Sequence, residues 1–286
     1  MSDERAPTGL ARRRRRLTDQ ETERRMLDAA VDMVNQTGLT VSLEHISLEE
    51  VIRAAEVARS AAYRRWPYKD LFFSDLLKEL ARGATPAIAQ ANPEAAAATR
   101  RVLLEHLDWL RQPRLRTALI AEVFRRQALT ELETFRGSVE WRTYIALHAT
   151  VLGLPHGELR EQVQASLTES ERELNTGLAG FFEQIGTLVG CRLRPGMGSF
   201  EDVARLTTAA IRGMVVMAPA NPALSTHTVH ANPFGAPAAA DWSQPALALA
   251  SIVTAYLEPD PTVEFDQARI ATTREALTNA ATDLPY

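Results

Sequence analysis

Apolar residues recur at spacings of three and four along nearly the whole chain, and no stretch alternates apolar and polar positions like a half-buried strand. The pattern predicts an all-α fold. A first helix starts at Thr18 or Asp19, either of which can cap it, and carries Leu27, Ala30, Val31 and Val34, with Gly38 placed to stop it. A second begins at Ser47, three residues before Glu50 as in a capping box, and runs through Val51, Ile52 and Ala55. A short third covers about 58–65. Pro67 then breaks the chain, and Asp70 opens a fourth with Leu71, Phe72, Leu76, Leu77 and Leu80 inward.

After Gly83, Pro86 and Pro93, helices are expected over about 94–111, 114–132, 138–152 and 158–190. The stretch from Arg194 to Ser199 is a turn. Ser199 and Asp202 open the next helix, through Val203, Leu206, Ala210, Met214 and Met217. Residues 219–245 hold too many prolines for a long helix and read as a loop. A last apolar helix, about 245–257, precedes a polar tail expected to be loosely held. The domains expected are a disordered basic arm (1–17), a small helical domain (18–82), a larger helical bundle (83–258) and the tail (259–286).

Composition narrows the function. The 286 residues are 45% hydrophobic, ordinary for a globular protein, and contain no run of about 18 apolar residues. Five arginines, Arg12, Arg13, Arg14, Arg15 and Arg16, precede no apolar stretch of the kind a signal peptide needs, so a cytoplasmic protein with no membrane partner is expected. The one cysteine, Cys191, sits among Leu188, Val189 and Leu193 like a buried small hydrophobe, and it excludes an internal disulfide. The net charge of −4 argues nothing for nucleic acid. Its distribution does, because residues 53–69 hold Arg53, Arg59, Arg64, Arg65 and Lys69 against Glu56 alone.

Two short helices joined by a tight turn, the second of them basic, are what a DNA major groove accepts. In the second, Arg59, Ser60, Ala61, Arg64 and Arg65 would face outward, and Val57, Ala62 and Trp66 inward. The arginines suit bidentate bonds to guanine and alanine suits a thymine methyl; Tyr63 and Lys69 suit phosphates, as does the helix N-terminus at Ser47. The arginine run is either a minor-groove or phosphate-binding arm, adding a salt slope of about −0.9 per phosphate, or a solubilising tail.

Residues 26–77 resemble the N-terminal domain of the tetracycline-repressor (TetR) family of regulators. The resemblance rests on Ala29-Ala30, Gly38, Ser47, and the string Ala55-x-Val57, Tyr63, Trp66-Pro67-x-Lys69-Asp70-Leu71. It implies a homodimeric repressor of a palindromic operator, whose helical C-terminal domain binds a small effector and thereby releases DNA. Where that family has glycine this chain has Glu56, and Ala58 replaces a capping residue. Both departures are expected to distort or weaken the turn.

The resemblance extends to the C-terminal half only as a helical domain of suitable length. There His106, Trp109, Phe124, Trp141, Tyr144, His148 and Met214 are candidates to line an effector pocket, each otherwise plain core. By analogy with the family, the last two apolar helices would form the dimer interface, through Leu206, Ala210, Gly213, Met217, Leu249 and Ile252; otherwise they pack internally. His227 and His230 have no carboxylate near them in sequence and are not read as a metal site. No hydrolase, nucleotide-loop or metalloprotease motif occurs, and no catalytic role or cofactor is expected.

Overall fold

The computed structural model describes residues 17–37, 46–82 and 93–279. Arg12 to Arg16, Gly38 and the breaks at Gly83 and Pro86 lie outside those residues. The described fold is all-α. Helix α1 (Asp19–Thr37) opens on a reciprocal cap, the Glu21 amide donating to Thr18 Oγ1 (3.1 Å) and the Thr18 amide to Glu21 Oε2 (2.8 Å). Helix α2 (Leu48–Ala54) follows Ser47, whose hydroxyl accepts from the Glu50 amide. Helices α3 (Arg59–Arg65) and α4 (Lys69–Arg82) complete the N-terminal part. Of the residues assigned inward on α4, Leu71 is exposed, because the inner stripe starts at Phe72 and continues through Leu76, Leu77 and Leu80.

The remaining helices are α5 (Pro93–Glu105), α6 (Pro113–Gly137), α7 (Val139–Gly153), α8 (Glu158–Leu188), α9 (Phe200–Met217), α10 (Ala223–Thr226), α11 (Gln244–Tyr256) and α12 (Gln267–Asn279). The helix expected over 94–111 breaks at His106 into a separate 3-10 turn, Leu107–Arg111, which buries Leu107 and Leu110 before Pro113 opens α6. Helix α6 runs on to Gly137, where Ser138 caps α7 by accepting from the Trp141 amide (3.1 Å). At α9 the Ser199–Asp202 capping box forms as the spacing predicts.

Four short strands escaped the periodicity. Strand β1 (Cys191–Leu193) pairs antiparallel with β4 (Leu257–Pro259), and β2 (Thr228–Ala231) with β3 (Ala240–Ser243). The proline-rich loop expected over 219–245 is therefore α10 plus a hairpin, held to the bundle by buried Trp242, whose ring meets Phe234 at a tilt (centroids 4.9 Å apart). Three and four residues are too few for an alternating pattern to register. The tail assignment also needs correction. Phe265, Ile270 and Leu277 are buried, and α12 packs on α5 and the 3-10 turn, so residues 259–279 belong to the bundle.

Domain separation at residue 82 is incomplete in packing terms. A single apolar cluster runs from Met26, Ala30 and Val34 of α1 through Trp66 and Phe72 to Leu147 of α7 and Leu167 of α8. Helices α7 and α8 therefore meet α1 and α4 through close-packed side chains.

Gly190, at the turn into β1, has a φ of +67°, and a Cβ there would stand 2.7 Å from the Phe265 ring. The same turn is bracketed by buried Arg116 of α6. Its Nε donates to the Leu110 carbonyl (2.9 Å), its Nη1 lies 3.3 Å from Gly190 O and 3.4 Å from Asp260 O, and its guanidinium stacks over Phe265 (4.9 Å). Burial lowers its pKa from the usual arginine value. Cys191 is buried beside it, and burial pushes its thiol up to about 12, as befits a packing residue.

Candidate nucleic-acid interface and internal cavity

Between α2 and α3 the chain turns in four residues. Glu56 takes a φ of +52°, the one positive φ among non-glycine residues that the described structure holds. The left-handed turn is thus made without glycine, at a cost of about 1–2 kcal/mol. Ala58 occupies the cap of α3 with no side-chain hydrogen bond. Both departures noted in the sequence leave the two-helix geometry in place.

Helix α3 buries Ala62 and is anchored at its end by Trp66, whose Nε1 donates to Asp75 Oδ2 (3.0 Å) and whose ring meets Phe72 edge-on at 5.1 Å. Arg59, Ser60, Tyr63 and Arg64 are exposed, as is Lys69 at the start of α4. Ala61 is half-buried against the core. Arg65, assigned outward, is turned inward. Its Nε is 3.0 Å from Glu23 and its Nη2 3.3 Å from Asp75, and its guanidinium lies 5.1 Å from the Trp66 ring centre. It braces α3 against α1 and α4. Tyr68, which sequence reasoning passed over, is 73% exposed beside Lys69.

The exposed basic groups are themselves engaged by acids. Glu49 Oε1 lies 2.8 Å from Arg59 Nη2 and accepts the Tyr63 hydroxyl at 2.7 Å, while Asp19 pairs with Arg64. Exposed pairs like these are worth about 0–1 kcal/mol and exchange readily for other anions.

In the C-terminal bundle a cavity of about 530 Å³ opens between α5, α6, α8, α9 and α11. That size suits a drug-like organic molecule. Of the seven residues expected to line it, Phe124 and Trp141 do; His106, Trp109, Tyr144, His148 and Met214 do not. His106 stacks on Trp109 (4.4 Å) outside the cavity wall, and Met214 packs beside Trp242 and Ile211. Residues passed over include Gln127, hydrogen-bonded to Thr99 (2.8 Å), Glu131, Phe181, Phe182 and Leu249. Glu131 retains accessible surface yet is walled by protein, and this burial raises its carboxyl above the usual carboxylate range.

Tyr144 and His148 instead build a polar cluster between the cavity and the N-terminal helices. The Tyr144 hydroxyl donates to Glu171 of α8, Arg212 Nη1 of α9 stands 2.5 Å from Glu171 Oε1, and His148 Nε2 stands 3.1 Å from it. Burial by itself would raise the Glu171 pKa, but these donors outweigh it and bring the carboxyl down to about 2. Burial, reinforced by Glu171, raises the Tyr144 phenol. The Arg212 guanidinium also covers the Trp141 ring (5.7 Å), so the cluster touches a cavity wall directly.

Of the interface candidates, Leu206 (45% exposed), Met217 (55%) and Gly213 lie on the outer face of α9 with Val216 (56%), which sequence reasoning missed. Ala210 and Ile252 are half-buried beside them. Leu249 is not available for an interface, because it is buried and walls the cavity. His230 Nδ1 lies 2.8 Å from Asp241 across the hairpin, a carboxylate remote in sequence that strand pairing brings alongside.

No family model matches the chain, and no curated protein matches it. Among solved structures, the reduced form of E. coli NemR is similar over 83% of this chain and 98% of its own, at 15% identity and a TM-score of 0.40. A likeness of that degree carries no argument about fold or function. Among the described residues no helix is long and apolar enough to cross a membrane.

Proposed function

We propose that the chain is a ligand-responsive, dimeric DNA-binding regulator of the TetR type, a repressor released from a palindromic operator when a small molecule fills the bundle cavity. The observation that carries the reading is helix α3, which presents Arg59, Ser60, Tyr63 and Arg64 to solvent beside Lys69 while Trp66 locks its inner face. A helix so exposed fits a groove about 12 Å wide. The arginine arm, Arg12 to Arg16, adds affinity through phosphates. Dimerisation uses the exposed apolar face of α9, Leu206, Gly213, Val216 and Met217, and two-fold symmetry sets half-sites about one helical turn or a multiple apart. Sedimentation as a monomer at micromolar concentration would remove that part.

The route from cavity to DNA is packing. A ligand against Trp141 presses on Arg212, Tyr144 and α7, and α7 shares an apolar cluster with α1 and α4. Rotation of α1 and α4 in each protomer changes the separation of the two α3 helices.

The direct test is an electrophoretic shift with DNA flanking the chain's own gene, in which a dimer giving no specific shift at moderate salt counts against the proposal. Tyr63→Ala and Lys69→Ala should weaken binding to every sequence alike, about tenfold each, while Arg59→Ala and Arg64→Ala should also relax specificity. Identical behaviour of all four would abolish the division into phosphate and base contacts.

A second reading has one specific observation in its favour: Glu49 and Asp19 already occupy Arg59, Tyr63 and Arg64. On that reading the chain is a helical small-molecule-binding protein whose turn no longer serves DNA. Glu49→Gln separates the two. If the basic groups serve DNA, removing this acid should raise affinity about three- to tenfold at low salt, with a steeper salt dependence. No salt-dependent affinity in either form favours the second reading.

A further inference from the structure

Two carboxylates set into this fold, one buried and one half-buried, are paired with guanidinium groups. Glu122 binds Arg125 at 2.6 and 2.5 Å and Arg126 at 2.8 Å; although burial by itself would raise its pKa, these hydrogen bonds bring it below the usual carboxylate range. Glu171 has Arg212 and His148. Glu131 differs from both. It is half-buried and lines the apolar cavity between α6 and its neighbours, and burial raises its carboxyl with no charge or hydrogen bond from the described residues opposing it. Leaving a carboxylate so placed is expensive unless something completes it.

The surroundings specify what completes it. Phe124 and Phe135 stand on the Glu131 face of α6, seven residues before and four after it, and Trp141 and Phe182 complete an aromatic wall. Phe135 and Trp141 lie 4.7 Å apart, ring centre to ring centre. Among the described residues, other charges reach the cavity only from Glu94 and Arg101 of α5, both exposed, and from Arg126, which Glu122 and Glu105 already engage. Helices α7, α8, α9 and α11 contribute no charged side chain to it.

We propose that the effector of this cavity is a lipophilic organic cation, its charge seated against Glu131 and its body among Phe124, Phe135, Trp141 and Phe182. The proposal rests on reading the cavity as the effector site, and deepens that reading by naming the ligand class. Aromatic faces attract a desolvated cation, and the carboxylate supplies the counter-charge that an apolar cavity otherwise lacks. An anion of the same shape would be repelled by Glu131.

Tetraphenylphosphonium and tetraphenylborate are a matched pair for the test, nearly equal in shape and opposite in charge, and neither titrates. Calorimetry on the full chain should show the phosphonium binding at least about a hundredfold tighter than the borate. Glu131→Gln should weaken phosphonium binding at least about tenfold. Glu133→Gln, on the same helix but outside the cavity lining, should leave it unchanged. Lowering the pH through the raised Glu131 value should weaken the phosphonium in the wild type and not in Glu131→Gln. Without ligand, Glu131→Gln should raise the melting temperature by about 2–4 °C, because an uncompensated acid is removed.

Absence of phosphonium binding, equal binding of the borate, or a glutamine variant that binds as before would each overturn the proposal, as would a fall in the ligand-free melting temperature. Calorimetry contains no DNA. A chain that takes the cation but shifts no operator therefore loses the regulator reading and keeps this one, and the reverse outcome does the opposite.

Discussion

Replacing Arg116 by methionine should lower the unfolding free energy by about 2–4 kcal/mol, although the apolar volume is nearly kept. The guanidinium donates to Leu110 O and reaches Gly190 O and Asp260 O, three carbonyls from the 3-10 turn, the entry to β1 and the exit from β4. Methionine removes that donor from all three, although Gly190 O keeps the Asp260 amide at 2.9 Å and Asp260 O is only part-buried. Relief of the arginine's own desolvation offsets part of the loss, which keeps the figure below the sum for three bonds to a charged group. Lysine should not rescue, since one ammonium cannot stand in for Nε and Nη1 at once or stack on Phe265. Urea unfolding at unchanged m-value is the measurement. A methionine variant with wild-type midpoint would mean that these carbonyls are satisfied otherwise.

Glu171→Gln should cost about 2–3 kcal/mol at neutral pH, because Arg212 then stands partly buried against a neutral amide. The folded-state pKa of Glu171 is lowered to about 2 from an ordinary 4.5. Its contribution is therefore complete above about pH 4.5 and is lost as the pH falls toward 2. The stability gap between wild type and variant should accordingly be widest at about pH 6–7 and narrow as the pH falls below about 4.5. A gap that stays constant down to about pH 3 would mean the loss comes from packing and not from charge. The variant should also blunt the response of DNA binding to ligand, since this cluster joins Trp141 in the cavity wall to α7 and α8 against α1 and α4.

The α2–α3 turn was legible because its signals are local. Ser47 caps three residues ahead and Ala62 and Trp66 recur at helical spacing, whereas the left-handed position that Glu56 adopts at φ +52° was marked only by the family resemblance, which implies glycine there. Arg65 was misread for the opposite reason. Helical phase alone places it beside exposed Arg64, and only the arrival of Glu23 from α1 and Asp75 from α4 turns it inward.

The C-terminal half followed the same rule with less favourable results. Caps at Ser138 and Ser199 set helix starts correctly. Choosing among aromatic residues on apolar faces failed, since Tyr144, His148 and Phe124 share that pattern while only Phe124 reaches the cavity. Glu131 carried no sequence signal at all: an acid between Thr130 and Leu132, with Glu133 close behind, reads as a solvated helix position, and only the packed bundle makes it part of a cavity wall.

Periodicity, caps and breakers were sufficient for the all-α class and for the basic helix and its turn, since each depends on residues within about four positions of one another. Which side chains meet across helices was beyond their reach. The Glu49 cover on Arg59, the Arg116 bracket, the Glu171 cluster and the lone carboxyl of Glu131 all join or oppose groups from separate elements. Their energies depend on burial and distance, and those exist only once the helices have packed.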